Sequence, residues 1–451
     1  MDVAKTWYDA SWSEHVTPQS ARVKAEIEGL TLQATVQADD RVRQRFAKVR
    51  SISVGLSADL SDGDATAQSM PDASPAKWHL AHTTWFFESF VLSEFVPRYR
   101  PFDTRFSTLF NSYYEAKGAR ISRGARGTIT RPSFQEILEY RVYVDAAVSR
   151  ALDWLQPSVR NLVELGCHHE EQHQELLLTD LLHLFAQNPL EPIFRPSMDR
   201  PADVAPEPLR WVEGVQGAVR MGHDGSGFSF DCEGPRHTAW LSPHALADRL
   251  VTNAEWLEFM EEGGYRRPEL WLSDGWAWVR DNAIQAPLYW RVGDSGAWNQ
   301  FGLDGPRQLE RSAPVCHVSY FEADAFARWA GARLPTEAEW ESAAQELDST
   351  EGVLLRAGRA IRPRPAEGRE RTRQLYGDVW QWTGSAFLPY PGFRAAPGAV
   401  GEYNGKFMSG QFVLKGGSCV TPGGHTRASY RNFFYPHQRW QFTGVRLAKD
   451  L

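Results

Sequence analysis

A run of ten residues rich in histidine and acidic side chains carries the most distinctive chemistry of this sequence. It extends from Gly166 to Glu175 and continues into three leucines. The run contains no Pro and no further Gly, which predicts a helix with residues four apart on one face. His169 and His173 form such a pair, and two imidazoles one helical turn apart can bind one metal ion. The alternative is a polar surface helix, although surface helices seldom combine several histidines with an apolar continuation.

A metal bound by that pair needs at least one further ligand, and a second segment could supply it. Within residues 78–82, His79 and His82 lie three positions apart. A serine and a proline just before this segment suit the N-cap and the first helical position, which predicts a helix from about 75 to 96. Alone, either histidine is more typical of a hydrogen-bonded core residue than of a ligand. The residues themselves leave the choice between His79 and His82 open.

These segments fit a predicted helical bundle over residues 1–189. Apolar periodicity predicts further helices within 17–60 and over about 133–156, and the His-rich helix should end near residue 188. The long connection after the second helix contains Tyr113 and Tyr114. Adjacent tyrosines more often pack than react, but long connections in compact domains are often functional. Four helices with one long connection predict a bundle whose core can hold a metal.

The chain changes character after residue 189. Residues 190–208 are rich in Pro and lack periodicity, which predicts a linker. From 209 to 451, short strands, glycines, tryptophans and turns predominate. Two helical pieces are predicted there, one beginning at Thr252-Asn253 and one from Tyr320 to Trp329. The predicted fold class is therefore α+β, and the second domain could by itself be a binding module.

Composition limits the classes of function. The 451 residues, 42% of them hydrophobic, are enough for two domains with a large core. A net charge of −7 without a basic block makes nucleic acid an unsuitable partner. No apolar run of about 18 residues and no signal peptide are recognisable, so we expect a cytoplasmic protein without a membrane partner. The four cysteines form no CxxC pair, which argues against a disulfide framework.

Several motifs together resemble a known enzyme family. The second half resembles the formylglycine-generating-enzyme fold, related to C-type lectins, in segments 231–237, 251–253, 332–341, 377–383 and 444–446. The first half resembles the DinB-like four-helix bundle. The HxxxHxE pattern of His169, His173 and Glu175 makes the match to a family more specific, together with residues 78–82 and 431–434. In this order, and over nearly the whole chain, the two halves resemble the nonheme iron(II) sulfoxide synthases of ergothioneine biosynthesis.

The resemblance implies an Fe(II) centre held by His82, His169 and His173. The family has its third histidine after a Leu-Ala pair, which selects His82 over His79. Imidazole suits Fe(II), and three protein ligands leave positions open for a thiolate and for O₂. His168 lies about 100° away around the helix and is expected to be structural.

The resemblance also implies the substrates: O₂, a thiol, and hercynine, the Nα-trimethylated betaine of histidine. Gln172 matches the family's imidazole-contacting residue. Asn432 and Phe433 match the segment that contacts the betaine, and an aromatic face suits a quaternary ammonium. The pair at 113–114 matches a tyrosine pair of the branch that uses free cysteine, where a phenol could donate a hydrogen bond or a proton. Phe434 stands where the γ-glutamylcysteine branch has an acidic residue, which argues for cysteine.

The expected reaction joins the sulfur of cysteine to C2 of the hercynine imidazole and gives hercynylcysteine sulfoxide. Selenoneine synthases share the scaffold and join a selenosugar to hercynine, and no residue in the sequence separates these two donors. A third interpretation is a noncatalytic lectin-like binding protein with a structural metal. A formylglycine-generating activity is not expected, because that chemistry needs two active-site cysteines and Cys419 has no neighbour in its segment.

Overall fold

Helices dominate the first part of the chain, and short strands with scattered helices make up the rest. The computed structural model describes residues 41–197, 205–356, 359–368, 370–396 and 399–451. The part of the predicted first helix over 17–40 and residues 198–204 of the Pro-rich stretch lie outside the described residues. The predicted α+β class, a helical bundle followed by a domain of short strands, is confirmed. The exact domain boundaries stay predictions.

In its described residues, the bundle contains four long helices and two short ones. They are α1 (41–57), α2 (Asp62–Thr66), α3 (Ala76–Phe87), α4 (Phe106–Leu109), α5 (Phe134–Ala151) and α6 (Pro157–Ala186). A π-helical turn, Glu88–Leu92, and a last turn, Ser93–Phe95, extend α3. The helices predicted over about 75–96 and 133–156 and the His-rich helix are thus confirmed. In α5, Ser133 and Glu136 form a capping box, which explains why the helix begins there.

The helix α3 lies at the centre of the bundle, because every residue from Ala76 to Phe87 is buried. It packs closely against α6 at Gly166. A Cβ added to this glycine would overlap the ring of Phe87, so a larger residue would separate the two helices. This close approach brings the histidines of α3 and α6 together.

The second half contains twelve short strands among the described residues. They are β1 (Trp211–Glu213), β2 (Gly217–Met221), β3 (His237–Leu241), β4 (His244–Ala247), β5 (Trp290–Val292), β6 (Trp298–Gly302), β7 (Gly305–Gln308), β8 (Trp380–Ala386), β9 (Phe412–Lys415), β10 (Asn432–Phe434), β11 (Thr443–Gly444) and β12 (Ala448–Asp450). Three sheets, of order β1-β4-β12, β2-β3 and β5-β6-β7, are antiparallel. The fourth, β10-β9-β8-β11, contains a parallel β8–β11 pair.

Four α-helices accompany these strands in the described part of the second half: α7 (Asn253–Glu261), α8 (Ser273–Asp281), α9 (Tyr320–Trp329) and α10 (Glu337–Ala344). The first and third were predicted from their caps and periodicity. The other two were not, since Gly275 weakens the helical pattern of α8 and α10 has only eight residues. Short 3₁₀ turns occupy 115–117, 123–128, 231–233, 264–266, 268–270, 399–402 and 405–407. No helix in the described ranges is long and apolar enough to cross a membrane.

The helix α6 also contacts the second half of the chain. The carboxylate of Glu175 accepts hydrogen bonds from the indole of Trp380 and, at 2.6 Å, from the hydroxyl of Thr421. Both donors lie in the strand-rich part of the sequence, more than two hundred residues away. The same helix that carries the candidate ligands therefore joins the two domains.

Candidate active site

Three histidines from two helices converge in the core of the bundle. His82 of α3 and His169 and His173 of α6 offer ring nitrogens that all lie within 4.8 Å of one another. Their ring centroids are 4.6 to 5.0 Å apart. The structure therefore brings together the three residues that the resemblance implies as iron ligands.

The unpaired nitrogens of this cluster fit a bound metal ion. Nε2 of His82 and both ring nitrogens of His169 are buried without a hydrogen-bond partner. Leaving buried polar atoms unpaired is costly, so these nitrogens are suited to binding a metal ion. Burial lowers the pKa of all three histidines, to about 3 for His169, which keeps the imidazoles neutral with lone pairs available. Neutral imidazoles with no carboxylate among them suit a transition metal such as Fe(II).

Stacking and one hydrogen bond fix the ring of His82. It lies between the indoles of Trp78 and Trp85, at centroid distances of 4.6 and 5.5 Å and interplanar angles of 12° and 16°. Its Nδ1 donates to the carbonyl oxygen of Phe110 at 2.6 Å. This bond determines the tautomer and leaves Nε2 as the atom available to a metal.

His79 supports the site without belonging to the cluster. Its Nε2 lies 3.1 Å from Oδ2 of Asp180, and its Nδ1 lies 2.8 Å from Nδ1 of His173. Because the carboxylate accepts a hydrogen bond, Nε2 of His79 carries the proton and Nδ1 accepts from His173. His173 is then left with an unprotonated Nε2 for the metal. Asp180 lies on the same face of α6 as His173, seven residues later, so helical spacing in the sequence already indicates that the two are neighbours.

Gln172 lies beside the histidines and is bound by two tyrosines of the second half. Its Nε2 donates to the hydroxyl of Tyr430 at 2.7 Å, and its Oε1 accepts from the hydroxyl of Tyr403. The ring of Tyr403 lies 5.6 Å from that of His169. These two tyrosines were not predicted. They lie outside regular strands and more than two hundred residues from α6, so no local pattern marks them.

The predicted tyrosine pair is next to the site but makes no hydrogen bond to the three histidines within the described residues. The hydroxyls of Tyr113 and Tyr114 are 3.5 Å apart. Tyr114 is fully buried, 5.7 Å from the ring of Trp85, whereas Tyr113 is half-buried and packs against Phe407. Burial raises the pKa of both phenols, so both keep their protons at neutral pH.

The predicted betaine segment forms β10 and reaches the histidines only through other residues. Asn432 accepts from the backbone of Phe433, and the ring of Phe433 stacks on Phe387 at 4.0 Å. Phe434 packs edge-on against Trp440 at 6.0 Å. Among the described residues, no hydrogen bond or ring contact joins this segment directly to the three histidines.

A second cluster on α6 is occupied by an arginine. Nitrogens of His168 and His425 and a carboxylate oxygen of Glu171 lie within 4.8 Å of one another. The guanidinium of Arg45 bonds Glu171 at 2.5 Å and His168 at 3.2 Å. Arg45 thus already supplies a cation to two of the three residues, which argues against a second metal site there. The ring of His168 stacks on Phe228 at 3.7 Å, consistent with the structural role expected for it.

A cavity of about 460 Å³ lies along the first turns of α6 and is lined in part by Tyr403. Its polar lining includes Asn161, Glu164, Asp231 and Asn404, and none of the described residues that line it is Lys or Arg. One carboxylate oxygen of Asp231 accepts from Asn404 at 2.6 Å, and the other is buried without a partner. The described lining thus offers acceptors for hydroxyl or ammonium groups and contains no cation for a carboxylate.

Both halves of the chain match known protein families. Residues 45–177 match the DinB superfamily. Residues 206–354 and 372–451 match the family described as sulfatase-modifying factor enzyme 1-like domain.

Three curated relatives are similar over most of their length. A hercynine oxygenase of Mycolicibacterium smegmatis is 32% identical over 436 residues, which cover 87% of this chain and 95% of that protein. One of Mycolicibacterium thermoresistibile is 32% identical over 428 residues, covering 87% and 91%. One of Mycobacterium tuberculosis is 30% identical over 435 residues, covering 90% and 98%. The similarity therefore extends across the bundle, the strand-rich domain and their order.

Proposed function

This chain belongs to the hercynine oxygenase family, and we propose that it joins a chalcogen donor to C2 of the hercynine imidazole with Fe(II) and O₂. In the first form of the proposal the donor is cysteine and the product is hercynylcysteine sulfoxide. Hercynine C–H and cysteine S–H each lose a hydrogen, a C–S bond forms, and O₂ supplies one oxygen to sulfur and one to water. The reaction is therefore balanced without a further reductant.

The observation that carries the proposal is the group of three neutral imidazoles with unpaired nitrogens. His82 and His169 would hold the iron through buried ring nitrogens without a hydrogen-bond partner, and His173 through Nε2, the nitrogen that does not bond His79. When bound, Fe(II) would supply a site for the donor's sulfur or selenium and for activation of O₂. Three protein ligands suit this chemistry, since they leave open positions on the ion.

The chain's own residues would bind and orient the substrates. The amide of Gln172 would contact the hercynine imidazole, and its two tyrosine partners would keep it in position. Asn432 and Phe433 would contact the betaine, with Phe433 offering an aromatic face to the trimethylammonium. Since the contacts of this segment reach the histidines only indirectly, we expect it to move toward them when hercynine binds.

The tyrosine pair would contribute to proton transfer, and Phe434 would contribute to selection of the donor. Tyr113 and Tyr114 retain their phenolic protons at neutral pH, which suits one of them to donate a proton during turnover. Phe434 would line the donor side and offers no charge to a γ-glutamyl group. Cysteine is therefore the preferred thiol.

The lining of the cavity beside Tyr403 favours a second donor class. Asp231 and Glu164 would accept hydrogen bonds from hydroxyl groups, and none of the described lining residues is a cation that could bind a carboxylate. A selenosugar matches this lining better than an amino acid does. The second candidate function is therefore a selenoneine synthase, which joins a selenosugar to hercynine through a C–Se bond.

One experiment separates these candidates. Iron-loaded protein would be incubated in air with hercynine and, in parallel, with cysteine, γ-glutamylcysteine or a selenosugar, and the products would be identified by mass spectrometry. A hercynine–cysteine adduct supports the first function, and a hercynine–selenosugar adduct supports the second. Absence of product with every donor, together with no O₂ consumption, would favour a noncatalytic binding protein with a structural metal.

A further inference from the structure

A continuous chain of hydrogen bonds connects the second His cluster to Gln172. The carboxylate of Glu171 lies 3.0 Å from Nδ1 of His425, and Nε2 of His425 lies 3.3 Å from the hydroxyl of Tyr430. That hydroxyl also accepts from Nε2 of Gln172 at 2.7 Å. This series of hydrogen bonds begins at Glu171 of α6, passes through His425 and Tyr430 of the second domain, and returns to α6 at Gln172.

The direction of each bond follows from the groups present. A carboxylate can only accept, so Nδ1 of His425 carries the proton that faces Glu171. Burial lowers the pKa of His425, which keeps its ring neutral and its Nε2 an acceptor. The hydroxyl of Tyr430 therefore donates to Nε2. Because its proton is used there, the oxygen of Tyr430 can only accept from Gln172.

The other groups around His425 agree with this assignment. Nδ1 of His168 lies 3.3 Å from Nδ1 of His425 and accepts from Arg45, so it does not compete as a donor to Glu171. Arg427 contacts the backbone oxygen of His425 and not its ring. The ring of His425 is thus fixed by Glu171 and Tyr430.

We propose that Glu171 and His425 are positioning residues. They act through Tyr430 to fix the orientation of the Gln172 amide, with its nitrogen toward Tyr430 and its oxygen toward Tyr403. The inference rests on the proposed function, in which Gln172 contacts the imidazole of hercynine. With its nitrogen directed to Tyr430, the amide must direct its oxygen to Tyr403. The reverse orientation would place the carbonyl of Gln172 against the lone pairs of Tyr430.

The fixed orientation has a consequence for recognition. One N–H and one lone pair of the amide remain after the two tyrosines are bound. Their positions determine where an imidazole can donate and where it can accept a hydrogen bond. A buried amide that can rotate would lose this selection, because both of its orientations have nearly the same shape. His425 therefore contributes to hercynine specificity without touching the substrate.

A double-mutant cycle tests the proposal. Hercynine binding to the iron-loaded, full-length protein would be measured by calorimetry for the wild type, His425→Leu, Gln172→Leu and the double variant. We expect His425→Leu to weaken binding by about tenfold in the wild-type background and to have no further effect when Gln172 is already Leu. Iron content should be unchanged, and the turnover number at saturating hercynine should fall much less than the affinity.

Two additional variants provide a substitute for His425→Leu and a matched control. Tyr430→Phe removes only one oxygen atom, so it gives the same comparison if His425→Leu does not fold. Tyr376→Phe is the matched control, since it removes a buried hydroxyl that donates to the backbone of Ala344 at 3.0 Å, away from the site. It should leave hercynine affinity unchanged.

The outcomes distinguish the positioning role from the proposed function. Suppose that His425→Leu, or Tyr430→Phe in its place, weakens hercynine binding equally in the wild-type and in the Gln172→Leu background. The positioning role is then wrong, although hercynine is still the ligand. The same conclusion follows if iron is lost from these variants. If the wild-type protein does not bind hercynine at all, the proposed function and the positioning role both fail.

Discussion

The indole N–H of Trp440, in the second domain, donates to the carboxylate of Asp180 in the bundle at 2.9 Å. The other oxygen of Asp180 bonds His79, which in turn bonds His173. A residue near the C-terminus is therefore three hydrogen bonds from a candidate metal ligand. Hydrogen bonds therefore link the second domain to the candidate metal ligands as well as to Gln172.

The first prediction concerns this chain of bonds. Asp180→Asn can turn its amide toward His79, which would reverse the proton positions and leave Nδ1 of His173 without an acceptor. We expect Fe(II) affinity to fall by about 10- to 100-fold, as is typical when a ligand loses its supporting carboxylate. Competition with a chelator of known affinity would measure the change. Asp145→Asn, which removes a carboxylate bonded to Arg50 at 2.7 Å, should leave the affinity unaltered.

The second prediction concerns the ligands themselves. His82→Ala, His169→Ala and His173→Ala should each remove most of the bound iron, because two imidazoles hold Fe(II) much less tightly than three. The fold should persist, since one open site contributes only part of the stability of a large protein. Metal analysis and circular dichroism would check both points. His183→Ala, on the same helix but bonded to Ser69, is the control, and normal iron content in the His169 variant would contradict the assignment.

The third prediction concerns the tyrosine pair. A proton donor acts in the transition state, so Tyr114→Phe should lower turnover or change the product ratio while both substrate affinities stay near normal. Tyr113→Phe tests Tyr113 as the alternative proton donor, since the two hydroxyls are 3.5 Å apart. Steady-state kinetics with product analysis would distinguish them. If both variants keep the full rate and the same products, the pair only packs.

The fourth prediction concerns pH and the buried carboxyl of Asp378. Burial raises its pKa to about 7 from 3.8, so the folded protein keeps a proton there that the unfolded chain releases. The free energy of unfolding should therefore decrease as pH rises from about 4 to 7 and become independent of this group above that range. Asp378→Asn should remove the decrease, and asparagine tolerates the positive φ of 56° at this position.

Urea unfolding at pH 5 and pH 8 would measure this effect. The stability of Asp378→Asn relative to the wild type should be greater at pH 8 than at pH 5. Asp348→Asn serves as the comparison, because hydrogen bonds from Thr350 lower the pKa of that exposed carboxylate. Its titration lies below pH 5, so the difference from the wild type should be the same at both values. An equal pH dependence for wild type and Asp378→Asn would refute the prediction.

The sequence by itself predicted the long helices around the candidate site and the pair of candidate ligands on one of them. His169 and His173 share a face because helical geometry fixes residues four apart, whatever the rest of the chain does. The α+β class followed from the change in periodicity after residue 189. The choice of His82 came from the family resemblance, since His79 has the same local pattern.

Only the tertiary structure decided which residues surround these histidines. The separate roles of His79 and His82 depend on where Asp180 and the two neighbouring indoles lie. Tyr403 and Tyr430 contact Gln172 from turns more than two hundred residues away. Periodicity in the sequence does not predict such contacts. Local pattern determines which side of a helix a residue is on, whereas hydrogen-bond partners between domains depend on how the whole chain packs.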